Sequence, residues 1–456
     1  MIMMISKNDH NPLNPEKSHR TCILIILDGL GDRAYEQLGG KTPLQAAYTP
    51  VLDSLCEKGS SGLYHASMPG QALPSEHAHF MIFGYDMSQF PGRGVFEALG
   101  AGIELESSDV AVLAHFASVE MAGNCLVLKN RKPRASEKEI DALIREVGFY
   151  ETGGVKIRFY PTGGIRGILR LEGNVSPFIT DTDPILEEKL LPELLPWAEY
   201  EQDSDALNTA VSLKSYLVQT YECLNRHPVN IRRKNLGLDL LNALVTQRAG
   251  QCRPVTPFDQ KYGLAGLSIA SGIVYHGLSR YIGMDCIKVS DSGDAGKDLA
   301  RRLCIAQKVS DRYDFIHVHT KTPDEAAHKK DPEAKRRVIE SLDRGIGEAI
   351  GPLLNNPDVL LIITSDHSTP SSGPLIHSGE PSPLMFFGTG VRRDRVKCFD
   401  EISVAGGALG TLRGRELMYM VLNYLDYSKL CGLMDTPENQ PYWPGNYQPL
   451  RIDLQS

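Results

Sequence analysis

Six residues of metal-ligand type stand in three places along this chain: Asp28, then Asp324 with His328, then Asp366, His367 and His377. Mixed carboxylate and imidazole donors suit Mn2+ or Zn2+, with Mg2+ and Co2+ as further candidates, better than Ca2+. Six such donors predict a pair of divalent ions. Ser75 is the hydroxyl that such ions would activate. It follows Pro74, whose fixed φ helps a sharp turn, and it stands where a helix over 76–83 is predicted to begin. The positive end of a helix favours negative charge on that oxygen. Contact with a divalent ion would lower its pKa and make it a nucleophile at neutral pH. Two ions about 3.5–4 Å apart could clamp both the attacking oxygen and a phosphoryl oxygen. Taken singly these features are bland, because Asp-x-x-x-His is usually a surface ion pair and a serine at a helix start is usually a cap. Their conjunction is what argues for chemistry.

The elements that must position these residues are apolar, strand-like runs. Residues 22–27 lead into Asp28, 315–319 lead to Asp324 and His328, and 359–365 end on Asp366 and His367. Ligands of open α/β sheets bind just beyond the carboxyl ends of the strands, so three such ends predict one shared site. Asp324 and His328 are four apart and share a helix face. Strand–helix alternation at the N-terminus and again from Phe258 to Leu425 predicts an α/β protein with a mostly parallel sheet sandwiched by helices. Thr49 and Pro50 open a predicted helix that Gly59 stops. Residues 110–184 read as an inserted small α/β domain, strand-rich around a helix over 136–147 capped by Ser136. A long amphipathic helix over 203–225 is predicted to lead back to the core. The expected organisation is a loose extension at 1–19, a discontinuous core of 20–109 and 185–456, and the insertion between.

The chain has 456 residues, 42% apolar and 23% charged, which is ordinary for a soluble globular protein. Its net charge of −8 argues against nucleic acid or an anionic membrane surface as partner. A small anionic substrate stays open, because a metal site dominates its local field. The nine cysteines are dispersed and never form C-x-x-C, the usage of free thiols in the cytoplasm. No apolar stretch approaches the roughly 20 residues that span a bilayer, and residues 1–5 are too short for a secretory core. No pattern fixes an oligomeric state.

Longer motifs add a resemblance. Asp28-Gly29-Leu30-Gly31-Asp32, the stretches 38–47 and 92–100, Asp324-Glu325-Ala326-Ala327-His328 and Asp366-His367-Ser368-Thr369-Pro370 resemble the archaeal-type, cofactor-independent phosphoglycerate mutases. That family lies in the alkaline phosphatase superfamily, and the likeness runs from Cys22 to about Leu425. It implies an alkaline-phosphatase-like fold and a phosphoserine mechanism. Ser75 would take the phosphoryl group of 3-phosphoglycerate and return it to the 2-oxygen, in glycolysis or gluconeogenesis, with no 2,3-bisphosphoglycerate. By position, Asp28, Ser75, Asp366 and His367 would hold one metal, and Asp324, His328 and His377 the other. Arginine suits carboxylate and phosphate, and Arg131, Arg134, Arg166, Arg232 and Arg248 are the candidates for gripping the small phosphorylated hydroxy acid. Asp181 and Asp183 match a stretch leading out of the insertion and would either bond substrate hydroxyls or cap a turn.

The chain departs from the family pattern at three points. Glu76-His77 follows Ser75 where Asp-Thr is usual, Lys132-Pro133 interrupts the arginine motif, and Ala327 replaces a glycine before His328. These departures leave two alternatives open. One is a paralogue moving a phosphoryl or phosphonyl group on another small hydroxy acid. The other is a phosphatase or phosphonate hydrolase of the same superfamily, in which water reaches the phosphoenzyme.

Overall fold

Every residue of the strand Thr21–Leu27 is buried. Cys22, Leu24 and Ile26 join one apolar cluster, while Ile23, Ile25 and Leu27 join another. A strand apolar on both faces requires cover on both sides, which parallel sheets receive from their crossover helices. Each such fully buried Ile or Leu contributes about 1.5–3 kcal/mol. The structure, a computed structural model, describes residues 20–434, 436–445 and 450–452. The extension expected at 1–19 lies outside the described residues.

Thr21–Leu27 sits inside an eight-stranded sheet. The order is Asp285–Lys288, Gly266–Ala270, Phe315–Thr320, Thr21–Leu27, Val359–Thr364, Ser382–Phe387, Ser60–His65 and Gly410–Arg413. The first five strands run parallel, as do the last two; Ser382–Phe387 alone runs antiparallel to both its neighbours. The expected α/β architecture is therefore present, mostly parallel. Register matters most for the site. Leu27 pairs with Thr320 and Ile26 with Thr364, so three strands end level and release Asp28, Lys321 and Ser365-Asp366 at one edge.

Local signals are realised with small differences. Asp294 caps Ala295–Val309 by accepting from the Lys297 N–H, and Ser136 and Glu139 close a capping box on Glu137–Val147. Pro50–Lys58 begins after Thr49, but the Thr49 side chain makes no capping bond, and Gly59 ends the helix in an extended rather than left-handed conformation.

The second sheet has six strands. Cys125–Asn130, Val110–Ala122, Arg166–Glu172, Val155–Gly163 and Phe149–Thr152 follow in order, and Ala243–Gln251 pairs with the first half of Val110–Ala122. Its core also takes Ala210, Leu213, Tyr216 and Leu224 from the helix Ser204–Arg226. Both segments lie in the range 185–456, which the sequence reading assigns to the main unit. A strand whose hydrogen-bond partner lies so far back in the chain carries no local sign of it. Among the described residues no helix is long and apolar enough to cross a membrane, and all nine cysteines are unpaired.

Candidate metal centre and nucleophile

Asp28 leaves the end of Thr21–Leu27 into a turn that only glycine completes. Gly29 has φ +65°, and a Cβ there would stand 2.6 Å from Thr369 Oγ1 and 2.8 Å from Asp324 Cβ. The backbone is thus threaded between side chains of the other two strand ends, and the Gly29 N–H donates to Asp366 Oδ1 at 3.1 Å. The His367 N–H donates to that same oxygen at 3.0 Å. Ser75 opens the helix Ser75–Ile82, with Pro74 as its cap residue. Its hydroxyl oxygen lies 2.9 Å from His367 Nε2. His79, one turn on, donates from Nδ1 to the Ser75 carbonyl at 2.9 Å and pins the Ser75 backbone.

Two donor groups follow. Asp28, Asp366 and His367 offer ligand atoms within 4.8 Å of one another, as do Asp324, His367 and His377. His367 Nε2 is 3.2 Å from Asp366 Oδ2 and 3.5 Å from Asp28 Oδ1. Asp324 Oδ1 lies 3.2 Å from His328 Nε2 and 3.5 Å from His377 Nε2. All the sequence-predicted metal residues therefore meet at one edge, and His367 reaches both groups.

Hydrogen bonds fix which imidazole nitrogens face inward. Thr369 gives its one hydroxyl proton to Asp324 Oδ1 at 2.8 Å, so it accepts from His367 Nδ1 at 3.1 Å. His377 Nδ1 donates to the Leu73 carbonyl at 2.7 Å. Both rings are left with an Nε2 lone pair turned toward carboxylates, the form a metal requires. Burial lowers the pKa of His367 against the pull of Asp366 and Asp28. At His377 burial acts the same way but the Asp324 carboxylate outweighs it, and its pKa rises. Asp324 and Asp366 are held far below the ordinary carboxylate range; burial opposes this, and neighbouring histidines overcome it.

Do these residues fit metal ions? Asp28 Oδ1 and Asp366 Oδ2 are fully buried and have no hydrogen-bond donor. Buried, unpaired carboxylate oxygens cost several kcal/mol unless a cation satisfies them. Lys321 helps, at 3.6 Å from Asp324 and 4.0 Å from Asp28, but its ammonium reaches neither orphaned oxygen's hydrogen-bond range. The donor set fits two divalent ions.

The substrate candidates divide. Arg131 makes a bidentate pair with Asp183, from Nε to Oδ1 at 3.1 Å and from a terminal nitrogen to Oδ2 at 2.5 Å. Arg166 pairs across strands with His115, whose Nε2 is 4.0 Å from Asp183. Burial pushes the pKa of His115 down to about 4. Asp181 accepts from the Arg248 N–H at 2.7 Å, and the Arg248 guanidinium bonds Glu76, the residue after Ser75. These residues form a connected path from Ser75 into the second sheet. Arg134 and Arg232 are exposed and lie off that path; the Arg134 carbonyl accepts from the Arg233 guanidinium.

Several participants were not found from sequence. Arg93 reaches Glu76 at 3.4 Å from the other side. Tyr275 and His319 bond Asp28. His317 and His319, two apart on a strand ending at the site, carried a readable signal; Tyr275 on a distant helix carried none.

Comparison with known proteins agrees with this geometry. The profile of the metalloenzyme superfamily matches residues 20–424. A Methanocaldococcus jannaschii protein named 2,3-bisphosphoglycerate-independent phosphoglycerate mutase 2 is 41% identical over 92% of this chain and 97% of its own length. A Methanopyrus kandleri 2,3-bisphosphoglycerate-independent phosphoglycerate mutase is 36% identical over 89% and 97%. The solved cofactor-independent phosphoglycerate mutase of Thermoplasma acidophilum superposes with a TM-score of 0.61 at 28% identity, covering 89% of this chain and all of that one. A Pyrococcus horikoshii structure superposes with a TM-score of 0.74 at 30% identity, over 91% and 99%. With its ligand-bearing strand ends inside the matched region, the chain belongs to the metalloenzyme superfamily and, within it, to the 2,3-bisphosphoglycerate-independent phosphoglycerate mutases.

Proposed function

We propose that this protein interconverts 3-phosphoglycerate and 2-phosphoglycerate, with Ser75 as carrier of the phosphoryl group. One observation carries the reading: the Ser75 hydroxyl stands at a helix start, 2.9 Å from His367 Nε2, beside two carboxylates with unpartnered oxygens. The names of its relatives support the substrate. Asp28, Ser75, Asp366 and His367 would hold one divalent ion, and Asp324, His328 and His377 the other; manganese or zinc suits these donors. When bound, the ions would stabilise charge on the attacking and phosphoryl oxygens.

Ser75 Oγ attacks phosphorus and the bond to the glycerate 3-oxygen breaks, that oxygen receiving the proton Ser75 gives up. Glycerate then turns within the site, its 2-oxygen attacks the phosphoserine, and Ser75 regains a proton. No 2,3-bisphosphoglycerate is needed. Arg131, Arg166 and Arg248 grip the anionic ends, and Asp181 and Asp183 orient the hydroxyls. The unit built on the second sheet closes over the site and keeps water from the phosphoserine. The reaction belongs to glycolysis or gluconeogenesis in the cytoplasm, where unpaired cysteines persist.

The test is an enolase-coupled assay on purified protein with 3-phosphoglycerate and Mn2+. Formation of 2-phosphoglycerate supports the reading. Release of inorganic phosphate without 2-phosphoglycerate would assign a hydrolase instead.

A further inference from the structure

Asp28 uses its two oxygens differently. Oδ2 accepts from the Tyr275 hydroxyl at 2.7 Å and from His319 Nε2 at 3.0 Å. Oδ1 has no donor, is cut off from solvent, and faces His367 Nε2 at 3.5 Å. Tyr275 comes from the helix Ile273–Tyr281 and His319 from the strand Phe315–Thr320, and their rings lie against each other with centroids 3.9 Å apart. Both side chains are buried. Asp366 is arranged alike, but its anchored oxygen takes backbone N–H groups from Gly29 and His367, which no substitution of a side chain removes.

We propose that Tyr275 and His319 are positioning residues for the first metal: together they saturate Asp28 Oδ2, stop the carboxylate from turning, and commit Oδ1 to the ion. The inference rests on the reading that Asp28, Ser75, Asp366 and His367 hold that ion. Neither residue touches metal or substrate. Each acts through Asp28, as partners behind a ligand do when they fix its orientation and raise metal affinity. Lys321 Nζ, 4.0 Å from Oδ2, adds charge but not direction.

The experiment is a calorimetric titration of metal-free protein with Co2+, followed in parallel by the visible absorption of bound cobalt. Wild type is expected to bind two ions. Tyr275→Phe keeps the ring and loses the hydroxyl; it is expected to weaken one of the two sites by about tenfold or more, leaving the other unchanged. His319→Ala is expected to weaken the same site and shift the same cobalt band. His319→Gln, whose side-chain amide can donate from nearly the same point, is expected to restore part of the loss. Circular dichroism and melting of the metal-free variants check folding, and either position suffices if the other variant fails to fold. Two bound ions in wild type with unchanged affinities in both Tyr275→Phe and His319→Ala would overturn the inference alone. Absence of bound metal in wild type would overturn the underlying site as well.

Discussion

The Ser75 hydroxyl oxygen and His367 Nε2 lie 2.9 Å apart although 292 positions of sequence separate them. His367 follows three residues after the strand Val359–Thr364 and Ser75 begins a helix, so both side chains stand at or just beyond the end of a regular element. Rigid elements locate reacting groups more closely than loops do. The arrangement leads to four expectations besides the metal titration.

Ser75→Ala is expected to fold and to bind metal more weakly at the first site. It should form no acid-stable phosphoenzyme on rapid quench with labelled 3-phosphoglycerate, and turnover should fall on the order of 10⁴-fold or more. Turnover close to wild type would remove Ser75 from the mechanism.

Glu76 is buried between Arg93 and Arg248. Burial opposes its ionisation, yet the two guanidinium groups hold its pKa below the ordinary value. Glu76→Gln keeps the volume and removes the charge that spaces the arginines beside Ser75. A fall in kcat/KM on the order of 10²-fold is expected from the resulting misplacement. Unchanged steady-state kinetics would leave Glu76 a structural residue only.

Chelation is expected to abolish turnover and also to lower the melting temperature, because Asp28, Asp324 and Asp366 are all buried at one edge of the sheet. Mn2+ at a hundred times its dissociation constant should restore about 2.7 kcal/mol of stability for each site filled. A melting temperature indifferent to chelator and metal alike would contradict a two-ion site.

Glu401 should contribute a decline in stability as pH rises. Its carboxylate accepts from the Thr42 hydroxyl at 2.7 Å and the Asp32 N–H at 3.2 Å, and burial raises its pKa from 4.5 to about 7. Between those values the folded protein keeps a proton that the unfolded chain has released. Stability contributed by the neutral acid is therefore complete below pH 4.5 and lost as pH rises toward about 7. Melts of metal-free Glu401→Gln across this range should lack that decline, and an identical slope in both proteins would refute the assignment.

Much of the site was legible in the sequence because strand ends announce themselves. Runs such as 359–363 are apolar throughout, and the residue type changes where the chain leaves the sheet at Thr364-Ser365-Asp366. The spacing of Asp324 and His328 is a helix spacing, and both lie on Thr322–His328. Partners contributed by other elements were not legible. Tyr275 resembles any core aromatic until Asp28 is placed against it, and Arg93 and Arg248 meet only through Glu76. The extent of the second sheet was hidden for the same reason: Ala243–Gln251 changes to Thr-Gln-Arg-Ala-Gly-Gln after its first three residues and reads as a strand only when paired.

The position of Thr21–Leu27 between Phe315–Thr320 and Val359–Thr364 has a consequence for biosynthesis. A ribosome makes this largely apolar segment well before either of its flanking neighbours emerges. Until then its amide groups and two greasy faces have no native destination. Chains released early should accumulate as chaperone clients rather than as partly active fragments, since such long-range pairing is slow to form and prone to aggregation while it waits.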